Sequence, residues 1–221
     1  EVVKQHDLVV ISDEIYDKLT YVGTHTCIPS LPGMYERTLL LNGFSKAYAM
    51  TGWRVGYAAG DPDIIGAMTR IHQYTALCAS ITGQVAAVEA LRNGKSKMKK
   101  MVEQYGRRRR LVMQAFADMG LPCFEPRGAF YAFPDIRETG LTSEEFAEEL
   151  LKEARVAVVP GNAFGEQGEG FIRCSYAASI DELTEAFRRM GEFLNRRRGK
   201  KRVLTTSFSK QVQGGVAGLN N

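Results

Sequence analysis

The 221-residue sequence has only four cysteines, three histidines and one tryptophan. The cysteines lie far apart without a C-x-x-C pair, which argues against a disulfide framework or a zinc site and fits reduced thiols in a cytoplasmic protein. No apolar run reaches membrane-spanning length, and the start does not resemble a signal peptide. Neither G-x-G-x-x-G nor G-x-x-x-x-G-K-[ST] occurs, which argues against nicotinamide and P-loop enzymes.

The chain has little excess charge outside its last residues. Its formal net charge is +4, and six basic residues near the end account for much of it: Arg196, Arg197, Arg198, Lys200, Lys201 and Arg202. The body is therefore near neutral, and we expect no nucleic-acid and no membrane partner. Residues 195–221 are basic and then polar without periodicity, which predicts a disordered tail. A hydrophobic content of 44% is typical of a globular protein.

Three short apolar runs predict strands in the first part of the chain, at residues 7–12, 38–41 and 53–59. Each run is apolar throughout and separated from the next by turn or helical segments, which favours a mainly parallel, helix-covered sheet in an α/β fold. Ligands bind beyond the carboxyl ends of the strands in such sheets. Asp13 and Lys46 both follow a predicted strand, so we expect a site there.

Helix signals and a change of pattern predict two domains. Asp61, Ser96, Thr142 and Ser179 stand where helix N-caps are expected, and Thr142 with Glu145 forms a capping-box pattern. After Pro122 short strands alternate with helices, and we predict the strands at residues 129–133, 156–159 and 170–176. We predict that residues 1–95 belong to a large domain and residues 96–194 to a smaller α+β domain.

Five residues together suggest one chemistry. A lone lysine such as Lys46 is usually a solvated loop residue, but a desolvated amine can form an imine. Asp13 could hold a ring nitrogen protonated, and Tyr16 could donate to an oxyanion. The guanidinium groups of Arg54 and Arg173 could bind a phosphate and a carboxylate. This set meets the needs of pyridoxal 5'-phosphate (PLP), and no metal site is expected.

Several segments resemble the class I/II aminotransferases of fold type I, and within them most closely the aspartate/aromatic branch. The resemblance rests on four segments, which read SDEIY at 12–16, GFSK at 43–46, MTGWRVGY at 50–57 and IRCSYA at 172–177. It runs from the first residue to about residue 194. It implies that residues 1–95 are the C-terminal part of the PLP-binding domain and that the family's N-terminal half is missing.

The resemblance assigns a role to each residue. It implies that Lys46 holds PLP as an imine and moves a proton at the substrate, while Asp13 pairs with the ring nitrogen. Tyr16 would hydrogen-bond the ring oxygen, Arg54 the phosphate, and Arg173 the substrate carboxylate. The implied reaction exchanges an amino group between an amino acid and a 2-oxo acid, in a homodimeric enzyme of amino-acid metabolism and biosynthesis.

Two departures from the family leave alternatives open. Gly43 stands where many relatives have a serine that contacts the phosphate, and Ser45 would replace it only weakly. The missing half would supply one wall of the pocket, so we expect the isolated chain to be inactive. A PLP-dependent lyase or decarboxylase would use the same Lys46, Asp13 and Arg54, and an inert fragment is the third reading.

Overall fold

A computed structural model gives the backbone of residues 1–214 and the side chains of residues 1–199. The chain divides into two compact units. The first contains Glu1–Gly106 and Arg127–Ala129, and the second contains Arg107–Pro126 and the chain from Phe130 on. One long helix contributes residues to both units, so this division falls inside a helix. The two-domain assignment with a boundary after residue 95 stays a prediction.

A three-stranded sheet organises the first unit. Its strands are β1 (Val10–Asp13), β2 (Thr38–Gly43) and β3 (Gly56–Ala59), in the order β1-β2-β3. β1 and β2 are parallel, with Asp13 opposite Leu41, so their carboxyl ends meet at one edge of the sheet. This is the edge at which the sequence predicts a site.

β3 runs antiparallel to β2, so the sheet is mixed rather than mainly parallel. Gly43 lies opposite Gly56 in the register of this pair. The chain between them contains a short 3-10 turn, Thr51–Trp53, but no α-helix. A parallel return needs a crossover that carries the chain back over the sheet, usually through a helix, and this connection has none. The apolar composition of β3 alone does not reveal its direction.

Four helices begin in the first unit: α1 (Val2–Gln5), α2 (Pro62–Thr75), α3 (Ile81–Asn93) and α4 (Lys95–Met119). The predicted start of α2 is confirmed. The Asp61 carboxylate accepts the backbone N–H groups of Asp63 at 2.9 Å and Ile64 at 3.3 Å. Pro62 stands in the first turn, where its missing N–H costs nothing because no intrahelical partner exists there.

The second unit contains a small antiparallel sheet and two further helices. Its elements are β4 (Tyr131–Ala132), α5 (Ser143–Ala154), β5 (Val159–Pro160), β6 (Ile172–Ser175) and α6 (Ile180–Gly214), and the sheet order is β4-β6-β5. The predicted capping box of α5 is confirmed: the Thr142 hydroxyl accepts from Glu145 N at 3.2 Å, and the Glu145 carboxylate accepts from Thr142 N at 2.9 Å. Phe146 and Phe193 are fully buried and pack edge to face, so α5 and α6 share one core.

α6 continues past the point where the sequence predicts its end. The backbone is helical to Gly214, so the expectation of disorder is wrong for residues 195–214, while residues 215–221 lie outside the described part of the chain. The basic residues that suggested a tail are good helix formers. Two of them also make contacts: Arg197 pairs with Glu149, and Arg198 donates to the carbonyl of Met119 at 2.8 Å.

Among the residues that the structure describes, none of the helices combines the length and the apolar character needed to cross a bilayer.

Candidate active site

Asp13 lies at the carboxyl end of β1, as the sequence predicts. Its side chain is exposed, and one carboxylate oxygen accepts the backbone N–H of Ile15 at 3.1 Å. This local bond forms a short turn after the strand and orients the carboxylate. The next backbone N–H, that of Glu14, still donates to Leu41 across the sheet at 2.8 Å. The Asp13 side chain is therefore fixed at a point where a regular strand gives way to a turn.

Lys46 lies in the loop that follows the neighbouring strand. Its amine nitrogen is 5.9 Å from the centroid of the Tyr16 ring, and its side chain is half-buried. Because Tyr16 follows β1 and Lys46 follows β2, the parallel pairing of the two strands brings these residues together. The structure thus places the two residues beside each other, thirty positions apart in the chain.

The loop that carries Lys46, residues 44–55 between β2 and β3 (the lysine loop), is held together by backbone hydrogen bonds and a buried cluster. Phe44 N donates to Val55 O at 3.2 Å, and the carbonyl of Phe44 accepts from Tyr48 N at 3.2 Å and Met50 N at 3.3 Å. Phe44, Met50 and Val55 are buried, together with Ala87 of α3, in one apolar cluster. The loop therefore has its own core, which holds Lys46 in place.

Arg54 closes this loop in a left-handed conformation, with φ of 54°. One guanidinium nitrogen donates to the carbonyl of Thr51 at 2.9 Å, and the side chain is exposed. The residue lines an open cavity of about 830 Å³, together with the hydroxyl-bearing residues Ser80 and Thr82 at the start of α3. The cavity gives Arg54 room to meet an anion the size of a phosphate group.

Gly43 stands at the end of β2. A Cβ atom here would lie 3.0 Å from the carbonyl oxygen of Val55 and 3.1 Å from Cα of Gly56. These contacts are tight and involve backbone atoms, so β3 would have to move outward slightly to admit a side chain. Glycine at this position therefore matches the close approach of β2 and β3, whatever its effect on phosphate binding.

Arg173 belongs to the second unit, whereas Asp13, Tyr16, Lys46 and Arg54 belong to the first. Its guanidinium carbon lies 4.5 Å from the centroid of the Tyr131 ring and 4.6 Å from that of Phe164. A guanidinium between two aromatic rings keeps its charge while its flat faces stay out of water. The meeting of Arg173 with the other four residues in one site stays a prediction.

Sequence reasoning missed Glu14, which is only 5% exposed although it neighbours the exposed Asp13. One of its carboxylate oxygens lies 2.6 Å from Nε2 of His25, and the other accepts from Ile28 N at 2.9 Å and from the Ser12 hydroxyl at 3.2 Å. We call this contact set the glutamate clasp. The sequence contains one signal for this burial. Consecutive residues of a strand face opposite sides of the sheet, so one of the two adjacent acids, Asp13 and Glu14, falls on the buried side.

The glutamate clasp holds a loop against the strand that carries Asp13. Burial raises the pKa of the Glu14 carboxyl, but hydrogen bonds from His25, Ile28, Cys27 and Ser12 outweigh burial and hold that pKa below its ordinary value of 4.5. The carboxylate form is therefore the form that the folded state favours. Its contribution to stability is present above pH 4.5 and is lost as the pH falls through the lower pKa of the folded state.

Replacing Glu14 with glutamine should lower the free energy of unfolding at pH 7 by about 2 kcal/mol, because charged hydrogen bonds are lost. The deficit relative to the unsubstituted chain should shrink as the pH falls below 4.5, where that chain also loses its carboxylate. Urea unfolding at several pH values measures both effects. Glu166→Gln, at an exposed position, is the control and should change little. A loss of unfolding free energy that is independent of pH would contradict the assignment of a charged Glu14 carboxylate to the folded state.

Comparisons with a family model, with curated sequences and with solved structures all identify the same kind of protein. A family model described as aminotransferase class I and II matches residues 1–190. The putative aminotransferase YugH of Bacillus subtilis is 53% identical over 196 residues, which cover 89% of this chain and 51% of the relative. An aspartate aminotransferase of Pyrococcus abyssi is 49% identical over 197 residues, covering 88% and 51%. The crystal structure of an aromatic aminotransferase from Pyrococcus horikoshii OT3 superposes with a TM-score of 0.87 at 50% identity, covering 89% of this chain and 53% of the other.

Three facts follow from these matches. The chain spans about half the length of the curated relatives it matches. The predicted fold class, a partial fold type I aminotransferase-like α/β fold, is confirmed by the solved structures it resembles. Since the family model covers most of the sequence, the chain belongs to the class I and II aminotransferases.

Proposed function

We propose that this chain carries the lysine-bearing part of a PLP-dependent transaminase, which exchanges an amino group between an amino acid and a 2-oxo acid. Members of the class I and II aminotransferases generally use PLP. The observation that carries the proposal is the pairing of Lys46 with Tyr16, 5.9 Å from amine to ring centroid, beside the strand end that bears Asp13. The assembled enzyme is proposed to be a homodimer of the cytoplasm that acts in amino-acid biosynthesis.

The residues of the first unit fit PLP by the chemistry of their side chains. An amine is needed for the aldehyde carbon, and Lys46 offers one on a well-packed loop. A carboxylate is needed for the ring nitrogen, and Asp13 offers one at an exposed strand end. A phenol and a guanidinium are needed for the ring oxygen and the phosphate, and Tyr16 and Arg54 offer these.

Each side chain would have its own role at the cofactor. PLP, when bound, supplies an electron sink for the negative charge that develops at the substrate Cα. The Lys46 amine would bind the cofactor, then take the proton from the substrate Cα and give it to the carbon that was the cofactor's aldehyde. The Asp13 carboxylate would keep the proton on the ring nitrogen, and the Tyr16 hydroxyl would donate to the ring oxygen. Both contacts favour charge where the reaction needs it.

The two arginines would supply orientation. Arg54 would hold the phosphate at the far end of the cofactor, because a guanidinium matches phosphate geometry with two parallel N–H groups. Arg173 would hold the substrate α-carboxylate in the same way. Fixing both ends leaves the Cα–H bond with few orientations, and such restriction is worth several kcal/mol of the barrier.

The test uses a single polypeptide, here called the chimera, in which this chain replaces the matching 196 residues of the B. subtilis relative. Purified chimera is incubated with PLP, 2-oxoglutarate and a set of amino acids, and glutamate is measured by chromatography. We expect glutamate together with the keto acid of one or more donors. Release of carbon dioxide without glutamate would support a decarboxylase instead, and a folded chimera without either product would overturn the proposal.

A further inference from the structure

The two rings that meet Arg173 belong to different elements of the second unit. Tyr131 is on β4 and lies opposite Ser175 in the pairing of β4 with β6. Side chains two positions apart on a strand share a face, so Tyr131 and Arg173 are diagonal neighbours on one face of the small sheet. Phe164 ends the short 3-10 turn Gly161–Phe164 that follows β5. We call Tyr131 and Phe164 the aromatic clamp.

The aromatic clamp holds the guanidinium without using its hydrogen-bond donors. The guanidinium carbon lies 4.5 Å and 4.6 Å from the two ring centroids, well inside the distance of about 6 Å at which a cation and a ring attract each other. In the part of the chain whose side chains the structure describes, Arg173 meets these rings and no acid. A carboxylate partner within the chain would occupy the N–H groups. The rings leave these groups available to a carboxylate from outside the chain.

Phe164 is the exposed member of the aromatic clamp, and its neighbours hold it in place. The side chain is 53% exposed. Its ring packs edge to face with Phe133, with 6.0 Å between the ring centroids, and Phe133 in turn stacks on Phe171 at 5.5 Å. Gly165 follows with φ of 117°, a conformation that residues with a side chain rarely adopt. The Phe164 ring is therefore fixed beside the guanidinium by aromatic packing and by the backbone that follows it.

The turn that carries Phe164 is anchored by contacts that do not involve its ring. Gly161 N donates to the carbonyl of Phe171 at 2.9 Å, and a Cβ atom on Gly161 would lie only 2.7 Å from that oxygen. The side-chain amide of Asn162 donates to the carboxylate of Glu144 on α5 at 3.0 Å. A substitution at Phe164 should therefore remove the ring and leave the turn.

We propose that the aromatic clamp positions Arg173 for the substrate carboxylate, with Phe164 as a positioning residue of the reaction. This inference rests on the proposed function, which gives Arg173 the α-carboxylate. A free arginine side chain has many rotamers, and fixing one of them on binding costs free energy. Rings that already hold the guanidinium lower this cost before the substrate arrives. The aromatic clamp therefore acts on substrate affinity and not on proton transfer at Lys46.

Phe164→Leu in the chimera tests the aromatic clamp, because leucine keeps the apolar character and loses the ring. KM for the amino acid and for the 2-oxo acid should rise about three- to tenfold, as the loss of one cation–ring contact predicts, while kcat changes less than about twofold. Phe164→Tyr keeps a ring and should restore both KM values. Phe124→Leu is the matched control, since Phe124 is 83% exposed in the same unit, and it should change neither constant. Steady-state assays measure all four proteins.

A second measurement needs neither cofactor nor catalysis. Phenylglyoxal reacts with accessible guanidinium groups, and peptide mass spectrometry of this chain without PLP gives the rate at which Arg173 is modified. Phe164→Leu should speed that reaction at least about threefold, because one ring no longer shields the guanidinium, whereas Phe164→Tyr should leave the rate unchanged. Arg188, exposed on α6, is the internal reference and should react equally in every variant.

Three results would overturn the proposal. They are an unchanged rate of Arg173 modification in Phe164→Leu, an active chimera whose KM values Phe164→Leu leaves unchanged, and an equal rise of KM in Phe164→Leu and Phe164→Tyr. Each of them would leave the transaminase standing. A folded chimera without transaminase activity would overturn the proposed function instead, and the modification rate would still decide whether the Phe164 ring holds Arg173.

Discussion

Lys46→Ala in the chimera is expected to lower kcat for transamination by at least about 10³-fold. Proton transfer by a positioned side chain alone contributes roughly 10²–10⁴-fold, and Lys46 would lose that role together with the covalent attachment of the cofactor. The structure supports this because the loop that carries Lys46 packs through its own buried cluster, and Lys46 is not a member of that cluster. Steady-state assays with 2-oxoglutarate measure the change.

A second readout separates the amine from general damage. Borohydride reduction followed by intact mass measurement should show one PLP adduct in the unsubstituted chimera and none in Lys46→Ala. Lys152→Ala is the control, because Lys152 is exposed on α5 and pairs with Glu148 one turn away. It should keep both the adduct and the activity. An adduct that persists in Lys46→Ala would show that another lysine binds the cofactor, and the assignment of Lys46 would fail.

The sequence predicts features of the site that depend on neighbours in the chain. Asp61 and Thr142 cap their helices as expected, because a cap needs only a side-chain oxygen and backbone N–H groups two or three residues away. The placement of Asp13 and Lys46 at strand ends follows from two apolar runs that stop at polar residues. Each of these features is determined by residues that lie within a few positions of each other in the chain, so the local sequence pattern is enough to predict it.

Features that depend on distant partners were not predictable. The glutamate clasp joins Glu14 to His25 and Ile28 through a loop whose path no local pattern specifies. The direction of β3 depends on how its connection folds back, and the length of α6 depends on contacts such as the bond from Arg198 to Met119. Periodicity reports which face of an element is apolar, but not what meets that face.

Arg173→Lys in the chimera should raise KM for the amino-acid donor about 10- to 100-fold, with a much smaller change in kcat. Lysine keeps the positive charge, but it lacks the planar fork that holds a carboxylate through two N–H groups. It also loses the stacking that places the Arg173 guanidinium 4.5 Å and 4.6 Å from the ring centroids of Tyr131 and Phe164. A tenfold change corresponds to about 1.4 kcal/mol, within the range of these two losses.

The pattern of changes in KM and kcat identifies the role of Arg173. If Arg173 binds the α-carboxylate, its replacement by lysine should raise KM for the amino acid and for the 2-oxo acid alike, because both substrates carry that group. The borohydride adduct at Lys46 should stay intact. Arg188→Lys, on the exposed side of α6, should leave all constants within twofold. If Arg173→Lys lowered kcat and abolished the adduct, Arg173 would act on the cofactor or the fold. If it changed nothing, the two rings would be holding a guanidinium that the substrate never meets.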